Sequence, residues 1–214
     1  VISSFVEGDD VGTYAGTTNS LERSMYNFYQ RISELPGVYI AQGQFLNQES
    51  LDAVSGTYQH VPKKPFWYLK FSYNYLQDLG ISLSDEELLE MRNGTRLYLL
   101  PNTLNTEELE VMKAYLQESV TVKPGDLQTN FTENPKFMFK VYQPSRPIFT
   151  WSDSISYGTT SENPVIFVST PENLYFMESA NLVVSGYNGL LKIRDRETMK
   201  QVVSIYETEF PDLK

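Results

Sequence analysis

An aromatic-rich block at residues 66–76 constrains the fold of this chain more than any other stretch of the sequence. Single polar residues interrupt the block, which is the pattern of a strand with one packed and one partly solvated face. A second apolar run, at residues 95–101, predicts another strand. Neither run adjoins a nucleophile with its base or a set of metal ligands. The sequence therefore points to a scaffold and a surface before it points to chemistry.

The bulk composition indicates a globular chain with an acidic surface. At 214 residues, with 41% hydrophobic and 21% charged residues, the chain can bury a substantial core. Its net charge of −10 would repel nucleic acid and attract cationic partners, among them basic peptides. The absence of cysteine excludes disulfides and thiolate sites, and it is compatible with the outside of a Gram-positive cell as well as with a cytosol.

The spacing of apolar residues and helix caps predicts an α+β fold with mixed or antiparallel sheets and three to four amphipathic helices. Helices are expected at residues 21–35, 84–91, 105–116 and 196–209, the second opened by a capping box from Ser84 to Glu87. A helical turn is expected at residues 48–54. Further strands are expected at residues 1–7, 38–41, 137–142, 148–151, 165–168, 182–184 and 190–193, with a hairpin turn at 186–189.

The chain has one stretch that could divide it into two lobes. Residues 123–135 are rich in Pro, Gly, Thr and Asn, which is typical of a linker. The first hypothesis is an N-terminal α+β lobe at residues 1–122 and a β-rich C-terminal lobe at residues 136–214 that ends in a helix. The second is one continuous domain.

The sequence does not assemble a recognisable catalytic or metal site. Its single histidine, His60, lies in a polar loop, and nothing nearby would hold it in a Ser–His–acid triad. Acidic residues cluster at predicted helix starts, where capping explains them. We expect no catalytic residues, no metal and no cofactor, and hence no enzyme. A hydrolase whose paired carboxylates meet only in space remains an alternative, to be recognised by a deep pocket with at least two acids.

Aromatic side chains supply the candidate binding surface. Rings combine a large apolar area with a polar tip or edge, so that they suit contacts with peptides and stack on sugar faces. The candidates are Trp67, Tyr68, Tyr73, Tyr75 and Trp151.

Three short motifs give the chain a family resemblance. They are Tyr73-Asn74-Tyr75-Leu76, Leu99-Leu100-Pro101 and the tail from Asn188 to Asp195. In this order they resemble the extracellular portion of the bacteriocin-associated integral membrane proteins of Gram-positive bacteria, a family of unknown function. That family is similar to ABC-transporter permeases of the macrolide-exporter and lipoprotein-releasing type. The resemblance covers residues 66–214, and the N-terminal third matches only in its order of elements.

The resemblance implies a non-catalytic domain on the extracellular face of the membrane, between the first two membrane spans of its parent. It would contact cationic peptides or transmit motion during export of, or immunity to, antimicrobial peptides, while a cytosolic ATPase subunit hydrolyses ATP. A start without an initiator Met or signal peptide suggests a segment of a longer protein. The alternative is a freestanding secreted or surface module, such as an adhesin or a carbohydrate-binding domain.

Overall fold

A computed structural model describes residues 15–33, 35–120, 122, 128–152, 155–175, 178 and 189–211. Its α-helices are α1 (Ala15–Ser33), α2 (Gln48–Val54), α3 (Tyr73–Asp78), α4 (Asp85–Arg92), α5 (Thr106–Glu118), α6 (Asn130–Glu133) and α7 (Arg196–Glu209). Its strands are β1 (Val38–Leu46), β2 (Phe66–Phe71), β3 (Arg96–Pro101), β4 (Phe137–Tyr142), β5 (Ile148–Phe149), β6 (Thr160–Ser161), β7 (Val165–Val168) and β8 (Leu191–Ile193). Short 3₁₀ turns span Ile155–Tyr157 and Pro171–Asn173.

Six strands form one mixed sheet in the order β4-β3-β7-β2-β1-β8. The pairs β3–β4 and β2–β7 are parallel, and the pairs β3–β7, β1–β2 and β1–β8 are antiparallel. Strands β5 and β6 form a separate antiparallel hairpin. Helices together with a mixed sheet confirm the predicted α+β class.

Side chains alternate between the two faces of the sheet along each strand, so the core is divided between these faces. On the first face, Leu69, Leu97 and Ile166 pack against α3, α4 and the β5–β6 hairpin. On the second face, Tyr98 and Phe167 pack against α2 and α5. Helices α1 and α7 bury a further apolar cluster at the β1–β8 end of the sheet. Both faces are thus covered, which explains why β3 and β7 are buried along their whole lengths.

Local capping chemistry sets several of the helix starts that the sequence predicts. The Ser84 hydroxyl accepts from the Glu87 amide and the Glu87 carboxylate accepts from the Ser84 amide, so the predicted capping box is confirmed. Asn105 opens α5 in the same reciprocal way with Glu108. Helix α7 spans the predicted residues and begins at Asp195, whose carboxylate accepts from the Thr198 amide.

The prediction of an unbroken strand over residues 66–76 is wrong. Strand β2 ends at Phe71, and Tyr73 and Tyr75 lie in helix α3. The Ser72 hydroxyl accepts from the Ile40 amide and donates to Asn74, whose amide nitrogen in turn donates to the Val38 carbonyl. These contacts to β1 turn the chain out of the sheet, and such tertiary contacts override the local aromatic pattern.

Other differences from the predicted elements are smaller. Helix α1 begins at Ala15, before the predicted start at residue 21, and α6 lies inside the stretch predicted to be a linker. Strand β5 ends at Phe149, so Trp151 follows the strand. Strands from both sides of residues 123–135 share the sheet, and β7 lies between β3 and β2. The strands predicted at residues 1–7 and 182–184, and most of the turn at 186–189, lie outside the described residues.

Candidate functional site

An open groove of about 600 Å³ lies at one end of the sheet. Strands β1 and β3 end there, and β2 and β7 begin there, because β1 and β3 run antiparallel to β2 and β7. The loop before β2, the first half of α5 and the segment between β6 and β7 supply the walls. The groove is therefore assembled from four parts of the chain that are distant in sequence.

The floor and walls of the groove are mainly apolar. Phe66, Leu104, Val111 and Met112 contribute side chains from β2, the β3–α5 loop and α5. Three prolines line it as well, and they carry no backbone N–H that would need a partner. Those prolines are Pro62, Pro65 and Pro101. An apolar concavity with a few polar groups at its edge is the usual form of a ligand site.

Two ion pairs bridge the loop before β2 to the first turn of α5 at the edge of the groove. The Lys64 ammonium lies 2.7 Å from a Glu108 carboxylate oxygen, and the Lys63 ammonium lies 3.6 Å from Glu107. Because Lys63 and Glu107 are almost fully exposed, their pair contributes little to stability. The two lysines, a short basic patch in the sequence, are thus partners of α5.

The groove also carries the carboxylates that the hydrolase alternative would require, namely Glu107, Glu108 and Glu162. A general acid needs a carboxyl group whose pKa is raised above its ordinary value. The hydrogen bond from Lys64 and the Asn105 backbone amide instead lower the pKa of Glu108. Glu108 is thus held ionised by a lysine and by its role in capping α5, which suits electrostatic contact better than proton donation.

The predicted aromatic residues do not form one surface. Trp67 lies on the first face of the sheet against Phe45 and also borders the groove, whereas Tyr68 is half-buried on the second face. Tyr75 and Trp151 do come together, since the Trp151 indole N–H donates to the Tyr75 hydroxyl over 2.7 Å. Tyr73 begins the helix that carries Tyr75. The structure thus brings Tyr75 and Trp151 into contact, places Tyr73 on the helix that carries Tyr75, and separates Tyr68 from them.

A glycine in β1 lets the segment around Trp151 lie against the sheet. A Cβ atom at Gly43 would overlap the carbonyl oxygen of Thr150, so the close approach of the two backbones requires glycine there. Trp151 itself has a φ of 52°, an unusual value for a residue with a side chain. Its ring packs edge-on against Phe149 and lies 5.1 Å from the Lys192 ammonium.

A charged cluster is buried on the second face, away from the groove. Arg96 is 1% exposed and forms two hydrogen bonds with the Glu178 carboxylate, of 2.8 and 3.1 Å. It also donates to the Asn173 carbonyl and the Tyr98 hydroxyl, and its guanidinium lies 3.8 Å from the centre of the Phe167 ring. The Lys70 ammonium lies 3.6 Å from Glu178.

The protonation of this cluster follows from burial and its charges. Burial alone would raise the pKa of Glu178, but Arg96 and Lys70 outweigh it and lower the pKa. Burial lowers the pKa of Lys70, and Glu178 opposes that shift only in part. Because Arg96 holds both the Asn173 carbonyl and the Glu178 carboxylate against β3, we interpret the cluster as a structural latch.

Sequence reasoning missed both the groove and the latch. The signals for the groove were two prolines that precede β2 and one that ends β3, yet nothing in their spacing shows that they face one cavity. Arg96 stands in an apolar strand, where a lone charge is a signal for a buried partner. His60, the only histidine, bonds through Nδ1 to Glu118 at 2.5 Å, at the surface.

Comparison with protein-family models, with characterised proteins and with solved structures finds no match. Among the described residues, no helix is both long and apolar enough to span a membrane. Across the same residues, no group of three or more His, Asp or Glu side chains is placed to hold a metal ion.

Proposed function

We propose that this chain is a non-catalytic, ligand-contacting extracellular domain of a Gram-positive membrane protein of the ABC-permease type. Its parent would take part in export of, or immunity to, antimicrobial peptides, together with a cytosolic ATPase subunit. The observation that carries the proposal is the apolar groove with a charged edge. Its side chains are suited to hold a ligand by packing and charge rather than to transform it.

The overall charge supports a cationic ligand. A net charge of −10 raises the local concentration of cationic molecules near the chain and speeds their encounter with it at low ionic strength. Antimicrobial peptides that carry several lysines and an apolar face combine the two properties that the groove and the charge would select.

Two of the three motifs behind the resemblance meet at the start of β1, which gives them a shared structural role. Asn74 of the first motif donates to the Val38 carbonyl. Strand β8 of the third motif pairs with residues Val38 to Ile40, and its Lys192 ammonium donates to the Gly189 carbonyl. This junction supports the interpretation of the motifs as parts of one domain.

The binding part of the proposal is tested by calorimetric titration with an amphipathic peptide that carries several lysines. The control is a peptide of equal length in which glutamine replaces each lysine. We expect the cationic peptide to bind at low salt. Its affinity should decrease steeply as salt is added. Absence of binding at any accessible concentration would remove peptide contact from the proposal.

The transport part is tested with the full-length protein in its host. Deletion of the gene is expected to raise sensitivity to cationic antimicrobial peptides or to reduce their export, and re-expression is expected to restore both. If neither sensitivity nor export changes, the link to antimicrobial peptides is wrong.

A second candidate function is a carbohydrate-binding surface module, and one observation favours it. Phe149 and Tyr157 of the hairpin region are 45% and 46% exposed, and the Trp151 ring lies against Phe149. Exposed rings of this kind stack on sugar faces. Titration with cell-wall oligosaccharides would then change tryptophan fluorescence in the natural chain, and the Trp151→Ala variant would lose binding.

A further inference from the structure

Glu162 differs from the other two carboxylates of the groove. Glu107 and Glu108 are paired with Lys63 and Lys64, whereas Glu162 forms no ion pair with any residue that the structure describes. It lies between β6 and β7, and it is exposed to solvent. The groove therefore has a carboxylate whose charge is not neutralised by a neighbouring lysine.

The charges along the groove favour a cation as its guest. The lining residues include two lysines and three glutamates, so that one negative charge remains after the two pairs are formed. A low-dielectric apolar wall beside a carboxylate strengthens its attraction for a cation relative to open water. The net charge of the whole chain has the same sign.

The size of the groove suits a short peptide segment. Its volume of about 600 Å³ falls within the range of ~300–1,000 Å³ that is typical of ligand pockets. The walls contain Pro62, Pro65 and Pro101, whose fixed φ angles limit how far the groove can collapse when it is empty. A preformed site loses less entropy when it binds.

We propose that the groove binds a peptide segment in which an apolar side chain stands next to a lysine or arginine. The apolar side chain packs between Phe66, Leu104 and Met112, and the cationic group pairs with Glu162. The inference rests on the proposed function and adds the location of the peptide site and the chemistry by which it selects a ligand.

The location is tested by NMR with ¹³C-methyl methionine. Met112 lines the groove, whereas Met199 lies in α7 at the β8 end of the sheet and serves as an internal control. The probe is the lysine-rich amphipathic peptide, with its glutamine analogue as the matched ligand. We expect saturable shifts of the Met112 methyl signal with the cationic peptide and no shift at Met199.

The role of the carboxylate is tested by two charge reversals that alter net charge equally. Glu162→Lys is expected to lower the affinity for the cationic peptide about tenfold, because attraction between the two charges is replaced by repulsion. Glu207→Lys, on an exposed turn of α7 and without an ion pair to any residue that the structure describes, is expected to change affinity less than about twofold, so that it reports the loss of overall charge.

The outcomes separate the inference from the function on which it rests. If the peptide binds while the Met112 methyl signal does not shift, the groove site is wrong and the proposed function stands. The same conclusion follows if both charge reversals lower the affinity for the peptide equally. If the glutamine analogue binds as tightly as the cationic peptide, selection by Glu162 is wrong. If neither peptide binds, both the inference and peptide contact fail.

Discussion

At the scale of single residues, the bidentate pair of Arg96 and Glu178 is the contact on which the second face of the sheet most depends. A buried charge that loses its partner is far more costly than a pair that is replaced as a whole. Glu178 faces two cations, Arg96 and Lys70, so its removal would leave both without their carboxylate.

We predict that Glu178→Gln lowers the free energy of unfolding by about 3–5 kcal/mol at neutral pH, measured by urea denaturation. The fold lowers the pKa of Glu178 below its ordinary value near 4.5. The stabilisation by ionised Glu178 is therefore fully present above that pH, and it is lost as the pH falls through the pKa of the folded state. The free energy of unfolding of the variant should therefore depend less steeply on pH in the acid range.

The matched control is Glu110→Gln, which breaks an exposed ion pair with Lys113 on α5. It should cost less than about 0.5 kcal/mol. Equal effects of the two substitutions would show that the pair of Glu178 with Arg96 does not act as a structural latch.

At the scale of elements, the β5–β6 region depends on a close approach to β1. Gly43→Ala should lower the free energy of unfolding by about 1–3 kcal/mol, because the added methyl group would overlap the Thr150 carbonyl oxygen. Tryptophan fluorescence should also shift as Trp151 is displaced. Gly56→Ala is the control, since an added methyl group there meets no atom within 4 Å, and it should be nearly neutral.

The starts of α4 and α5 could be predicted from sequence because their determinants lie within four residues. Ser84 with Glu87 and Asn105 with Glu108 each satisfy the other's backbone amide. The end of β2 could not be predicted, because Ser72 turns the chain by bonding to the Ile40 amide, 32 residues away. The groove was missed for the same reason, since its walls meet only after the strands have been ordered into a sheet.

At the scale of the whole molecule, buried and half-buried tyrosines limit the stability of the fold at alkaline pH. Burial raises the pKa of Tyr98 above its ordinary value of 10.0, those of Tyr68 and Tyr142 well above that value, and that of Tyr175 to about 12. An acid whose pKa is raised in the fold binds more protons there than in the unfolded chain. Stability should therefore decrease as the pH rises above about 10.

We predict that the phenolate absorbance of the buried and half-buried tyrosines at 295 nm appears in a cooperative step together with loss of circular dichroism above pH 10. Tyr142→Phe should reduce the slope of stability against pH while it costs about 1 kcal/mol through the lost bond to the Pro164 carbonyl. Ionisation of all tyrosines near pH 10 in a folded chain would contradict this account.

We propose that this chain contacts a cationic peptide through the groove at the end of the sheet. The most direct measurement is photo-crosslinking with a lysine-rich peptide that carries a benzophenone on its apolar side chain, mapped by mass spectrometry. We expect cross-links at Phe66, Leu104 or Met112. Excess unlabelled peptide should suppress them. Cross-links confined to the aromatic surface around Phe149 and Trp151, or to α7, would contradict it.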